Sequence, residues 1–319
     1  MSLRWRSAAA SLLMLTGALG FVPAGPGSAM TPQASSPCVV GAAERLSAHS
    51  LRASDPAALS AARVRRFEER TSRLLEDQPR LGGAARATDP PVVIDVAVHV
   101  IRPRTDTLEV GRRKARRAVA VLSEGFAGAQ HDSAYPSSFR FQLTSFDSTV
   151  NRAWYYADVS YADQRAASRE MKRTLHVGGP ETLNLYLTRP EMLLGWATFP
   201  QDYSQQPRQD GVVVSIGSLA GGDISGYNLG DTVTHEVGHW MGLYHTFQGG
   251  CSLRNDRVRD TAPEASPNFG CPARRDTCTD DTLLDPVHNF MDYSRDGCMY
   301  GFTAGQDVRM LKHWQAYRG

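Results

Sequence analysis

Residues 235–245 read HEVGHWMGLYH. His235 and His239 stand four residues apart, so on a helix of about 3.6 residues per turn they leave one face together and can share one tetrahedral cation. Glu236 follows the first of them. A carboxylate there can reach a water beside the cation without ligating the cation itself, which is where a general base for metal-assisted hydrolysis belongs. Gly242 can take the left-handed conformation that ends a helix, and the turn brings His245 back as a third nitrogen ligand. Three protein ligands leave a fourth position for water, the mark of a catalytic rather than a structural zinc site. Two histidines on a helix are usually polar surface, but the glycine and the third histidine at these offsets single this set out. Val233, Val237, Trp240 and Met241 recur at helical spacing and give the same helix a stripe to bury.

The elements that must hold this helix read as α/β. Val92 to Ile101 (VVIDVAVHVI), Phe139 to Thr144, Thr182 to Leu187 and Gly211 to Ile216 read as strands; Gly111 to Ala129 and Ala166 to Leu175 read as amphipathic helices. The zinc helix is expected to open near Asn228, with Asp231 three residues on as a capping-box-like pair. His99, His131 and His176 read as structural or solvent-facing, because no second carboxylate and histidine spacing accompanies them.

Before Pro90 the composition differs. Arg4 and Arg6 precede an apolar run from Ala8 to Val22, followed by small residues at Gly27, Ser28 and Ala29, the pattern of a secretory signal peptide over 1–29. Residues 30–86 read as a pro-segment: Pro56 to Leu75 looks helical but carries charge over much of its surface, too much to form a core, and the basic stretch from Gln78 to Arg86 suits activation cleavage. The catalytic domain then spans 87–319. A net charge of only +2, with 21% charged and 41% hydrophobic residues, argues against nucleic acid as a partner and against a membrane protein. Protein or peptide substrates and a monomeric, extracellular enzyme are expected.

After His245 regular periodicity is lost. Cys251, Cys271, Cys278 and Cys298 lie in a segment rich in Asp, Pro and Gly, and in a secreted chain an even set implies two disulfides, with three connectivities open. Paired CxxC knuckles are missing, which disfavours a second zinc cluster. Acidic residues here, Asp256 and Asp260 among them, could bind calcium through carboxylate and carbonyl oxygens, or simply be solvated.

The stretches HEVGHWMGLYHTF, CSLRNDRVRDTAP, DTC, DPVHNFMDYSRDGCM and FTAGQDVRM together resemble the pappalysin family of metzincins, in its secreted bacterial and archaeal branch. The resemblance runs from about Val92 to Arg309 and is dense from Asp231 onward. It implies a metzincin-like zincin: an upper subdomain (about 87–245) with a twisted mixed sheet, backing and active-site helices above the cleft, and an irregular, disulfide-stapled lower subdomain (about 246–319). It further implies Met291 as the Met-turn residue beneath zinc, Tyr293 as a tyrosine that swings to the metal or the oxyanion, and pairing of Cys251 with Cys278 and Cys271 with Cys298. A structural calcium would fall near Asp256, Val258, Asp260 and Thr261, and Leu194 to Pro200 (LGWATFP) would lie along the cleft rim.

The function so implied is a zinc endopeptidase with Glu236 as general base, on a peptide paired to an exposed strand edge. Asp296 is the candidate carboxylate of the pocket beyond the scissile bond, giving a preference for Arg or Lys there. It could equally face solvent, pair with its neighbours or bind calcium. Cys38, the odd cysteine, would occupy the open zinc position of a latent precursor. A secreted zinc-binding pseudoenzyme or adhesin, or a protease of another metzincin family, are the competing readings; the carboxylate at 236 argues against the first and the downstream motifs against the second.

Overall fold

The computed structural model describes residues 58–77, 90–106, 109–252, 254–278 and 283–319. Cys38, the signal segment and the basic stretch up to Arg86 lie outside them. The elements in chain order are α1 (Ala61–Glu76), β1 (Val92–Arg102), α2 (Arg112–Phe126), β2 (Phe139–Val150), the single turn α3 (Arg152–Tyr155), α4 (Arg165–Leu175), β3 (Leu183–Thr188), β4 (Gly195–Ala197), β5 (Val212–Ser215), α5 (Asp231–Trp240) and α6 (Ala304–Tyr317).

The five strands form one sheet ordered β2-β1-β3-β5-β4. β2, β1, β3 and β5 run parallel, and only the edge strand β4 is antiparallel to its neighbour. Central parallel strands are covered on both faces and so read as near-continuous apolar runs, which is why β1, β3 and β5 stand out in the sequence. Every residue of β3 and of β5 is buried. β2 runs six residues beyond Thr144, with Thr144 the extra residue in a shift of register between Val96 and Ala97 of β1. Its outer half is polar and half-buried, as suits a strand paired on one side.

α2 and α5 pack on each other and α5 lies against β4 and β5. Gly125 allows the close approach, since a Cβ there would stand 3.1 Å from the Thr234 side chain. His99 points to the opposite face of the sheet from Val98 and Val100. It is buried between Asp147 (2.6 Å) and Asn184 (3.0 Å) and stacked on Tyr186, so it ties three strands together as a structural histidine. His131 is exposed and stacked on Tyr300; His176 caps α4.

Two expectations need correction. α5 has no capping box: its N-cap is Gly230 at φ 108°, and Asn228 instead donates to the Gly222 carbonyl. α1 does contribute to a core, because Val64 and Phe67 pack with Leu59 against Phe199 and Tyr244. Its arginines, which made it look solvated, are partly spent on Asp202 and on Gln201 and Ser204. Among the described residues beyond His245 the one regular element is α6, which no expectation covered although Thr303 and Gln306 form a true capping box at its start.

Candidate active site

α5 ends in a Schellman turn: the Leu243 N–H donates to the Gly238 carbonyl (2.9 Å) and the Gly242 N–H to that of His239 (2.9 Å), with Gly242 at φ 96°. A side chain at 242 would also collide with the His313 ring, 2.5 Å from where its Cβ would be. The turn carries His245 back, and the Nε2 atoms of His235 and His239 lie 3.1 Å apart, those of His239 and His245 3.0 Å. His235 and His239 are oriented from behind, each donating its Nδ1 proton to a carbonyl: His235 to Phe290 (2.6 Å) and His239 to Leu243 (2.8 Å). In a neutral imidazole that turns the Nε2 lone pair toward the other rings, as a metal ligand requires. Burial and the neighbouring His235 hold His245 well below its ordinary pKa, so it too is neutral. Lone pairs brought this close repel one another unless a cation lies between them. A tetrahedral zinc with bonds of about 2.0–2.1 Å separates its ligand atoms by roughly 3.3 Å, so the set fits that ion.

Met291 is fully buried beneath α5. A Cβ on Gly238 would meet its sulfur at 2.4 Å, which explains a glycine in mid-helix between two ligands. The Met291 carbonyl accepts from the N–H of Thr246 (3.2 Å), fastening the turn to the chain just past His245. Asn289 holds that turn through reciprocal side-chain hydrogen bonds with Gln306 of α6, donating to its Oε1 (2.8 Å) and accepting from its Nε2 (3.0 Å).

Glu236 borders a pocket together with Gly195, Thr232, His235, Tyr293 and Asp296. A Cβ on Gly195 would stand 2.8 Å from Glu236 Cγ, so the edge strand β4 can pass over the carboxylate only as glycine. The Tyr293 ring lies 4.9 Å from that of His245 and 5.7 Å from that of His235, and its carbonyl accepts from the Tyr227 hydroxyl (3.1 Å). Tyr227 went unnoticed in the sequence, where nothing marks an isolated tyrosine as an anchor.

Asp296 is buried in the pocket wall and does not face solvent. One oxygen accepts the N–H groups of Leu229 (2.8 Å) and Gly230 (3.1 Å), supplying the cap that α5 lacks in its own sequence. Burial pushes its carboxyl up to about 6. Burial, reinforced by the charge of Asp296, pushes nearby Asp231 up to about 7, and Asp231 accepts from Gln130 (2.9 Å).

In the lower part Cys251 pairs with Cys278 and Cys271 with Cys298. Of the four residues expected near calcium, Asp256, Val258 and Thr261 are buried, and Asp256 Oδ2 and Thr261 Oγ1 have no hydrogen-bond partner among the described residues. Asp256 Oδ1 accepts from the Val258 N–H (2.9 Å). Asp260 is spent on α6, taking the Thr303 hydroxyl (2.8 Å) and the Gly305 N–H (2.8 Å).

A mixed sheet above, an HExxH helix turning at glycine to a third histidine, and a methionine turn beneath define a metzincin-type metallopeptidase. The profile of the peptidase family M43, described as pregnancy-associated plasma protein-A, matches residues 193–315. An extracellular metalloprotease of Pyricularia oryzae is 37% identical over 248 residues, 76% of this chain and 82% of the relative. One from Colletotrichum graminicola is 39% identical, over 76% and 84% of the two chains. Mature mirolysin of Tannerella forsythia, in complex with a cleaved peptide, superposes with a TM-score of 0.58 at 27% identity over 70% of this chain and 91% of its own. A promirolysin mutant gives 0.61 at 25%, over 80% and 92%. The chain belongs to the pappalysin family of metalloendopeptidases. The sequence relatives are fungal, so the match defines the family and not the bacterial or archaeal branch of it.

Proposed function

We propose that this protein is a secreted zinc endopeptidase in which Glu236 is the general base, made as a latent precursor and selective for Arg or Lys just after the scissile bond. The observation that carries the reading is the convergence of the Nε2 atoms of His235, His239 and His245 near a carboxylate on a pocket wall. His235, His239 and His245 would hold zinc, which supplies Lewis-acid chemistry to water and to a carbonyl oxygen. The Glu236 carboxylate takes the proton of the attacking water and returns it to the leaving amine nitrogen. Tyr293, bordering the same pocket, donates its phenolic proton in a hydrogen bond to the oxyanion. β4, paired on one side only, offers an edge along which an extended substrate backbone can bind.

Secretion is supported by the leader at 1–29 and by relatives named extracellular metalloproteases. No helix among the described residues is long and apolar enough to cross a membrane. Latency through Cys38 is supported by the count: five cysteines, four of them in the two disulfides. A calcium at Asp256 and Thr261 is supported by their buried, unpartnered oxygens in a loop that holds Arg257 at φ 70°. The small net charge supports peptides rather than nucleic acid as partners, with the enzyme acting as a monomer.

Glu236→Ala tests the central claim. Stoichiometric zinc should remain while hydrolysis of a casein substrate falls at least a hundredfold, the usual worth of a general base. A loss of less than tenfold would remove Glu236 from that role.

A further inference from the structure

α1 precedes the sheet, far in sequence from the histidines, yet it grips the turn between the second and third of them from both sides. Arg309 of α6 is buried and forms a forked pair with Glu68, Nη2 to Oε1 at 2.6 Å and Nη1 to Oε2 at 3.3 Å. The same guanidinium donates its Nε proton to the Gly242 carbonyl (2.9 Å) and lies over the Tyr244 ring at 4.6 Å. The Tyr244 hydroxyl donates to Glu68 Oε1 (2.9 Å). Gln248, three residues past His245, donates to the Leu59 carbonyl (3.1 Å). Phe199 continues the contact to the metal ligands themselves, packed at 5.8 Å on Phe67 and at 5.5 Å on the His239 ring. Burial works against the Glu68 charge, but Arg309 and the bonds from Arg309 and Tyr244 hold its carboxyl below the ordinary value.

We propose that Glu68 is a positioning residue for the third zinc ligand, acting through Arg309, Tyr244 and the Gly242 carbonyl, and that α1 is therefore a working part of the active enzyme rather than a discarded leader. Without it Arg309 would be a buried charge that has lost its hydrogen-bonded counter-ion, and its bond to the Gly242 carbonyl, on the turn carrying His245, would lose the support that fixes the guanidinium. Groups that orient metal ligands from behind typically change metal affinity 10- to 100-fold when removed. The inference moves the start of the catalytic unit from about residue 87 to before Leu59. It rests on the zinc reading, which stoichiometric zinc in the unaltered protein tests on its own.

The experiment compares Glu68→Ala, Glu68→Gln, Tyr244→Phe and Arg63→Ala in the full chain, measuring zinc affinity by chelator competition, the visible spectrum of the cobalt-loaded protein and thermal stability. Arg63 is a control: it also fastens α1, to Asp202, and lies over the Phe67 ring at 5.1 Å, but it is not part of the network of Glu68, Arg309, Tyr244 and the Gly242 carbonyl. Glu68→Ala should weaken zinc at least tenfold and change the cobalt spectrum. Glu68→Gln and Tyr244→Phe, which keep part of the network, should fall between it and the parent, and Arg63→Ala should lower the melting temperature with zinc affinity unmoved. Zinc affinity within twofold of the parent for Glu68→Ala, or an equal loss for Arg63→Ala, would overturn the positioning role. Intact-mass analysis of the active species should find residues 59–77 present, covalently or as a bound fragment. A fully active species without them would overturn the placement of α1.

Discussion

At the scale of single residues, the zinc ligands were legible because their whole requirement is written within eleven positions. A helix period, one glycine and a third histidine suffice, with no knowledge of the rest of the fold. Gly195 and Glu68 were not, since what each must satisfy comes from a side chain 41 or 241 positions away, Glu236 and Arg309. Asp296 sits between these cases: its place in the pocket was expected, its hydrogen bonds to Leu229 and Gly230 were not. That second duty decides how selectivity should be tested. Asp296→Ala removes charge and cap together, whereas Asp296→Asn can keep an oxygen on both N–H groups. Asp296→Asn should therefore leave cleavage of neutral peptides near the parent level and abolish enrichment of Arg and Lys after the cut. The parent preference should be roughly tenfold to a hundredfold, the worth of one charge-assisted hydrogen bond of about 1.5–3 kcal/mol. Because the carboxyl is raised to about 6, the preference should fade as the pH drops through that value. Profiling a peptide library at pH 7.5 and 5 checks both, and unchanged enrichment in Asp296→Asn would exclude this carboxylate.

Elements were legible where burial is two-sided. β1, β3 and β5 announce themselves as apolar runs; β4 does not, because three residues, one a glycine, make no pattern. α6 was hidden by its polarity, and α1, expected as a helix within Pro56 to Leu75, hid only the narrow stripe that it buries among charges. α5 shows the converse: the stripe of Val233, Val237 and Trp240 is buried as expected, but so is every other residue in the helix, and its chemistry identifies it more sharply than its periodicity. Gly238 within it costs about 1 kcal/mol of helix preference relative to alanine and is retained because Met291 occupies the space. Gly238→Ala should accordingly destabilise by about 1–3 kcal/mol, the usual effect of overpacking, in spite of the better helix former. In a Met291→Ala background the same change should be neutral or stabilising. Denaturant unfolding of the four proteins measures the coupling, and equal effects in both backgrounds would acquit Met291.

For the whole molecule, the division into a sheet-bearing upper part and a stapled lower part followed from the resemblance and not from any periodicity after His245. One tie between the two parts is α6, which meets the turn after the zinc helix at Gly242 through His313. The His313 Nδ1 proton goes to the Arg309 carbonyl (2.9 Å), and Nε2 is buried with no partner among the described residues. Burial first, and then the charge of Arg309, lower its pKa from 6.5 to about 3. The unfolded chain takes up this proton near pH 6.5 and the folded chain only near 3, so His313 stabilises fully above 6.5 and loses its contribution as the pH falls toward 3. By pH 4.5 the loss should be roughly 2–3 kcal/mol. Asp231, raised to about 7, acts in the opposite sense, favouring the folded state most below about 4 and losing that as the pH rises through 7. The parent curve is therefore a difference between opposed groups, and the informative measurement is parent against variant. His313→Gln, lacking a titrating ring, should lose less stability than the parent between pH 7 and 4.5, by that same 2–3 kcal/mol. Parallel curves from denaturant unfolding across this range would show that the join between α6 and the zinc helix is not where acid acts.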